Sequence, residues 1–386
     1  MQRACVVLFL LIGLALSVPN NHVADRIRNG LPMRGVNLGG WLVAEHWMTS
    51  TSSLWDDIPG DVVQQGEYAL MKSCGNFEGT RRFGLHRSDW ITEDDIEEIA
   101  KSGLNAVRVP VGFWITGFDM QGGDESQDWK VYAAGALEYL DLLVQDWAKK
   151  HNIAVLVDLH AARGSQNGYD HSAPKFFNKS TWSNNTQNVE NSIDVLEFLV
   201  KRYKDEEAFL GVGCLNEPGG TTDENVLKLY YTKAYDRIRA ISSKHLFGVA
   251  PLITQQQLNA SDWQSFLLAP KHTDVIHEWH KYFKFLGWED KTEDDVLKYV
   301  YGELKSDIKN WKGNRLFIGE WSLSTNPSAP FKDASRWNTF ASGVVDAYSN
   351  APAGWTYWTW KVSNDEEQVL PWSLRSLIRA GKFPKF

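Results

Sequence analysis

Eight short runs of small and branched apolar residues recur along the chain, at 34–41, 105–112, 154–160, 210–216, 247–252, 275–282, 316–321 and 354–360. Most are continuous rather than alternating, the pattern of strands covered on both faces. Between them lie amphipathic stretches of helical periodicity at 92–102, 131–150, 188–204, 223–244, 293–309 and 334–349. Doubly covered strands alternating with helices predict a parallel sheet, and eight such units predict a closed (β/α)8 barrel. The fifth unit is the weakest, because its helical stretch at 261–268 is short. A chain of 386 residues has length enough for two domains, yet no Pro/Ser/Gly-rich linker divides it, so one domain is expected. Thr92-Glu93-Asp94-Asp95 has the form of a capping box with an acidic first turn; those charges start a helix and carry no chemistry.

A barrel of this kind keeps its chemistry at the C-terminal ends of its strands. Polar and aromatic residues gather there. Glu45 follows the first strand, Arg108 lies on the second, His160 ends the third, and Asn216 and Glu217 end the fourth. His280 and Tyr282 end the sixth, Glu320 the seventh, and Trp358 and Trp360 the eighth. Two strings stand out. VGCLNEPGG and FIGEWSLS each bring an apolar run to a single glutamate, Glu217 and Glu320. A carboxylate at the end of such a strand is costly unless it is paired or used. Taken singly, each glutamate could merely pair with an arginine. Two in one barrel pattern suit glycoside cleavage, where one carboxyl stays protonated to assist the leaving oxygen and the other stays ionised. The 18 tryptophans add to this, since flat aromatic faces stack on the C–H faces of pyranose rings.

Forty basic against 48 acidic residues give a net charge of −8, which disfavours nucleic acid as a partner. Residues 1–17 have the layout of a secretory leader: Arg3, an apolar run from 4 to 16, then Ala15-Leu16-Ser17. Cleavage near Ser17 is expected, and that apolar run is shorter than the ~20 residues a membrane span requires. Three sequons, at Asn178, Asn184 and Asn259, agree with export. Cys5 would leave with the leader; of the remaining two, Cys214 reads as a small buried thiol, with a bridge to Cys74 as the alternative.

The strings RGVNLGGWLVAEHW, VLVDLHAARGSQNGYD, GVGCLNEP, HEWHKYF, FIGEWS and GWTYWTWK run from first strand to last. In this order they resemble glycoside hydrolase family 5 of clan A, and most of all its secreted exo-1,3-beta-glucanase branch. The resemblance implies a monomeric retaining enzyme acting on beta-glucan without metal or cofactor. It casts Glu217 as acid/base and Glu320 as nucleophile, with Arg108 keeping Glu320 ionised and Asn216 on the sugar 2-hydroxyl. His160, His280 and Tyr282 would line the cleaved subsite, and Glu45 with Trp358 or Trp360 would bind the terminal glucose. Tyr169 and Phe285 match an aromatic pair that grips the leaving-group sugars. Ala162-Arg163 departs from the proline-containing turn of many fungal relatives, and no cysteine follows Cys214 to form the disulfides those relatives often have late in the chain.

Overall fold

A computed structural model describes residues 22–117, 127–256 and 261–386. The leader-like segment and Asn259 lie outside the described residues. Eight parallel strands close in sequence order: β1 Met33–Asn37, β2 Ala106–Gly112, β3 Ala154–Ala161, β4 Phe209–Gly213, β5 Leu246–Val249, β6 Val275–Phe283, β7 Arg315–Thr325 and β8 Gly354–Tyr357. This is the expected single-domain (β/α)8 barrel. The first connection holds more helix than its periodicity suggests. Besides Glu93–Lys101, it carries Glu67–Cys74 and Asn76–Trp90, whose apolar residues are too sparse to mark a clean stripe. The fifth unit is as short as expected, with Ser261–Gln264 as its helix. The capping box forms between Thr92 and Asp95.

Strand alternation sorts the side chains. Val107, Val109, Val155, Val157 and Leu159 face outward into the core shared with the helices. Ala106, Ala154, Leu156, Leu210, Ile276 and Phe317 fill the lower barrel, which the helix Val23–Arg28 closes from below. Further up the same inward rows stand Arg108 on β2, Asp158 and His160 on β3, and Glu278, His280 and Tyr282 on β6. Strict alternation on β7 would turn Glu320 outward, because Phe317 points in. A register shift intervenes: Trp279 pairs with Ile318, but His280 pairs with Glu320. The extra residue, Gly319, re-aims Glu320 into the barrel, a use typical of bulges beside active sites. Its carbonyl accepts from Asn37 Nδ2 at 2.9 Å and Thr356 Oγ1 at 2.6 Å.

Candidate active site

Arg108, fully buried, is the hub of the upper barrel. Its Nη1 donates to Asn37 Oδ1 at 3.0 Å and to Glu320 Oε1 at 3.1 Å, and its Nη2 donates to Asn216 Oδ1 at 2.8 Å. It also forms ion pairs with Asp158 Oδ1 at 3.1 Å and, through Nε, with Glu278 Oε1 at 2.9 Å. Burial alone would weaken the guanidinium's hold on its protons, but these carboxylates more than reverse that. Tyr282 donates its hydroxyl to Glu320 Oε2 at 2.9 Å. Both oxygens of Glu320 therefore accept hydrogen bonds.

His280 joins the two glutamates. Its Nδ1 lies 2.8 Å from Glu217 Oε1 and 3.4 Å from Glu320 Oε2, and its Nε2 lies 3.0 Å from Glu278 Oε1. Burial works to strip the ring of charge, yet Glu320, Glu217 and Glu278 outweigh it and hold the pKa at about 10. In Glu217 burial is overcome in turn by the His280 hydrogen bond, so its pKa is lowered. In Glu320 burial wins, with the charge of Glu217 adding to it, and the pKa is raised. One carboxylate oxygen each of Glu217 and Glu320 and a ring nitrogen of His280 lie within 4.8 Å of one another.

Beyond β4 the chain makes a tight turn, so Asn216 and Glu217 lie three and four residues past the strand's end at Gly213. Glu217 adopts a left-handed φ of 42°, uncommon for a residue with a side chain. The GSQNG segment grips this turn. Gln166 Nε2 donates to the carbonyls of His160 at 2.7 Å and Asn216 at 2.8 Å, and Asn167 Nδ2 donates to the carbonyl of Glu217 at 3.1 Å. His171 Nε2 lies 3.5 Å from Glu217 Oε2.

On the β3 side His160 Nδ1 meets Asp158 Oδ2 at 2.9 Å, and its ring lies parallel to Trp358 at 5.5 Å. Burial, aided by the positive charge nearby, drives the pKa of His160 well below 6.5. Glu45 is buried; its Oε2 accepts from Trp47 Nε1 at 2.8 Å, and its Oε1 has no partner. Burial raises its pKa well above the usual value. Tyr169 and Phe285 rise from the loops after β3 and β6, 43% and 46% exposed.

Of the sequence candidates, Glu45, Arg108, His160, Asn216, Glu217, His280, Tyr282, Glu320 and Trp358 meet in this upper barrel, with Tyr169 and Phe285 at its rim. Trp360 does not. Although it shares the parity of Trp358, it lies in the outer core, where its Nε1 donates to Asp95 Oδ1 at 2.8 Å and its surface is 1% exposed. Between the two tryptophans left open by the sequence, the cleft contains Trp358. Asp158 and Glu278 went unread, although each stands two residues before a candidate histidine and so shares its face. Asn37, Asn167 and His171 were also missed, as was Trp372, which contacts Tyr282 and Phe285. The two cysteines among the described residues are free, Cys214 buried and Cys74 partly so.

The family model for cellulase (glycosyl hydrolase family 5) matches residues 67–364. The chain belongs to glycosyl hydrolase family 5. This family 5 chain is 30% identical over 426 aligned residues to a protein named probable glucan 1,3-beta-glucosidase A from Aspergillus fumigatus, covering 99% of the chain and 95% of that protein. It is 29% identical to a glucan 1,3-beta-glucosidase from Schwanniomyces occidentalis, covering 96% and 93% respectively. Its backbone resembles the crystal structure of a rutinosidase from Aspergillus niger, with a TM-score of 0.75 at 18% identity over 92% of this chain and 99% of the other. That likeness establishes the fold. Membership and relatives together make the protein a glycoside hydrolase. No helix among its described residues is long and apolar enough to cross a membrane.

Proposed function

We propose that this family 5 hydrolase is a secreted, retaining exo-beta-1,3-glucanase that releases glucose from the non-reducing ends of beta-1,3-glucans. The observation that carries retention is the approach of Glu217 and Glu320 oxygens to within 4.8 Å. Carboxyls about 5–5.5 Å apart suit direct attack by one of them, whereas inversion keeps about 6.5–9.5 Å for a water. Glu320 is the nucleophile. Its oxygens are aimed by Arg108 and Tyr282, and one attacks the anomeric carbon while the glycosidic C–O pair departs onto oxygen. Glu217 gives that oxygen its proton; it later takes a proton from the water that displaces Glu320 from the sugar.

The protonation directions themselves run the other way, with Glu217 lowered and Glu320 raised. The roles rest on the hydrogen bonds, because the cation that lowers Glu217 also stands 3.4 Å from Glu320. Interchanging the 2.8 and 3.4 Å contacts would stabilise the charge on Glu320 and leave the proton to Glu217. Asn216 supports the 2-hydroxyl contact: Arg108 holds its Oδ1, and its Nδ2, which makes one long contact of 3.5 Å to His160 Nε2, has a second hydrogen to offer the sugar. Glu45, with an unpartnered buried oxygen, suits a hydroxyl of the terminal glucose. The names of the relatives support the 1,3 linkage, and exposed sequon asparagines at 178 and 184 support export.

Laminarin digestion tests the reading. The expected first product is beta-glucose alone; mixed oligosaccharides would replace exo with endo action, and no cleavage would refute the glucanase reading. Glu217→Ala should regain activity on an activated aryl glucoside when azide is added, because that leaving group needs little protonation. Without azide, Glu320→Ala should not turn that glucoside over, and with azide it should give at most the alpha-azide where Glu217→Ala gives the beta-azide; the same product from the two variants would reverse or void the assignment.

A further inference from the structure

We propose that Glu278 is a positioning residue that holds His280 as a bridging imidazolium, so that Glu217 and Glu320 exchange charge through one shared N–H. This rests on the functional reading above for its catalytic meaning, but its structural part stands alone.

The first support is the geometry of the ring. His280 presents Nδ1 to Glu217 Oε1 at 2.8 Å and Nε2 to Glu278 Oε1 at 3.0 Å. A neutral imidazole has one N–H and one lone pair. With Glu278 and Glu217 ionised, a neutral ring would set that lone pair against carboxylate lone pairs on one side. Two N–H groups satisfy both. The second support is the space made for Glu278. A Cβ added to Gly319 would lie 1.9 Å from Glu278 Oε1, so the bulge glycine that re-aims Glu320 also vacates the slot that Glu278 fills. The third is the charge around Glu278, which is 2% exposed and meets Arg108 Nε at 2.9 Å. Arg108 and His280 outweigh burial and keep its carboxyl below the usual range.

The groups facing His280 are Glu217, Glu320 and Glu278, with Arg108 and Asp158 behind them; Gln256 Oε1 accepts from its backbone N–H at 3.2 Å. When Glu320 is esterified by the sugar it loses its negative charge. The Nδ1–H of His280 then has Glu217 as its one charged acceptor at that end, at the stage when Glu217 must act as base. When Glu320 is released as a carboxylate, the N–H is shared again. Each hand-over moves the hydrogen bond between acceptors, and the proton stays on nitrogen.

The test is ¹⁵N NMR of the full chain with labelled histidine, with His280 assigned by His280→Gln. In the wild type at pH 8 both ring nitrogens of His280 should carry protons. One unprotonated nitrogen there overturns the inference whatever the substrate proves to be. In Glu278→Gln the ring should become neutral at pH 8, and kcat/KM on an aryl glucoside should fall at least tenfold at pH 8 but less than threefold at pH 5. A ring still doubly protonated in that variant, or a loss equal at both pH values, overturns the positioning role. If Glu278→Gln does not fold, the wild-type spectrum still decides the protonation state. Failure of azide to rescue Glu217→Ala would refute the assigned roles and leave the spectral result intact.

Discussion

Strands β3 and β6 carry the same short pattern, an acid two residues before a histidine, and make opposite things of it. Asp158-Leu159-His160 and Glu278-Trp279-His280 both turn their acid and histidine inward, and both acids pair with Arg108. Yet His160 is held neutral and His280 charged. The difference lies in what each ring meets on its far side. His160 lies against Trp358, with its Nε2 3.5 Å from the Asn216 amide. His280 meets the carboxyls of Glu217 and Glu320. One acid partner does not offset desolvation of an imidazolium here; three do. On the function proposed above, the β3 arm would be a surface for a neutral sugar and the β6 arm the place where charge moves.

The severest way to break the comparison is to remove what the arms share. Arg108→Met leaves Asp158, Glu278 and Glu320 buried without their cation, and loss of one partner from a buried pair costs about 3–5 kcal/mol. Denaturant unfolding should show a loss at least that large, with no measurable hydrolysis. Next, His280→Gln should lower kcat by roughly 10²–10³, the scale for removing a preorganised electrostatic group. His160→Gln should raise KM more than it lowers kcat; similar kcat losses in the two variants would erase the distinction.

The arms should also differ in sign when stability is followed against pH. The pKa of His280 is raised by folding, so its contribution is complete below about 6.5 and is lost as pH rises through about 10. That of His160 is lowered, so its neutral burial costs stability as pH falls below about 6.5. Melting-temperature differences from wild type should narrow toward pH 10 for His280→Gln and shift toward the variant below pH 6 for His160→Gln. The smallest effect belongs to the rim. Tyr169→Ala and Phe285→Ala should each weaken laminarioligosaccharide turnover by roughly 1 kcal/mol, the order of an aromatic pair, and leave an aryl glucoside nearly untouched.

The barrel and its glutamates were legible because parallel strands write themselves as apolar runs, and a polar residue at the end of such a run stands out. The same rule hid Asp158 and Glu278, which lie within the runs and register there as interruptions unless the period of two is followed. That period would not have separated Trp358 from Trp360, which stand two residues apart although only Trp358 reaches the cleft. It would have failed at Glu320, which faces the cleft because of a register shift between β6 and β7, and such a shift depends on pairing across strands far apart in sequence. The helices Glu67–Cys74 and Asn76–Trp90 were hidden for a different reason: their buried faces include Glu67, His86 and Arg87, so hydrophobic spacing alone does not reveal them.

The grip of Gln166 and Asn167 on the turn that carries Glu217 bears on how such an enzyme can be retailored. The segment that carries the exposed Tyr169 also braces, through two side-chain amides, a backbone held at a φ of 42°. It is therefore not an interchangeable specificity cassette. A graft that altered the length of this loop would loosen Glu217 in the same stroke, whereas changes confined to Tyr169 itself leave the brace in place. Natural or designed diversification of this cleft has its freer hand on the β6 side, where Phe285 stands on a loop that makes no hydrogen bond to the turn that holds Glu217 among the described residues.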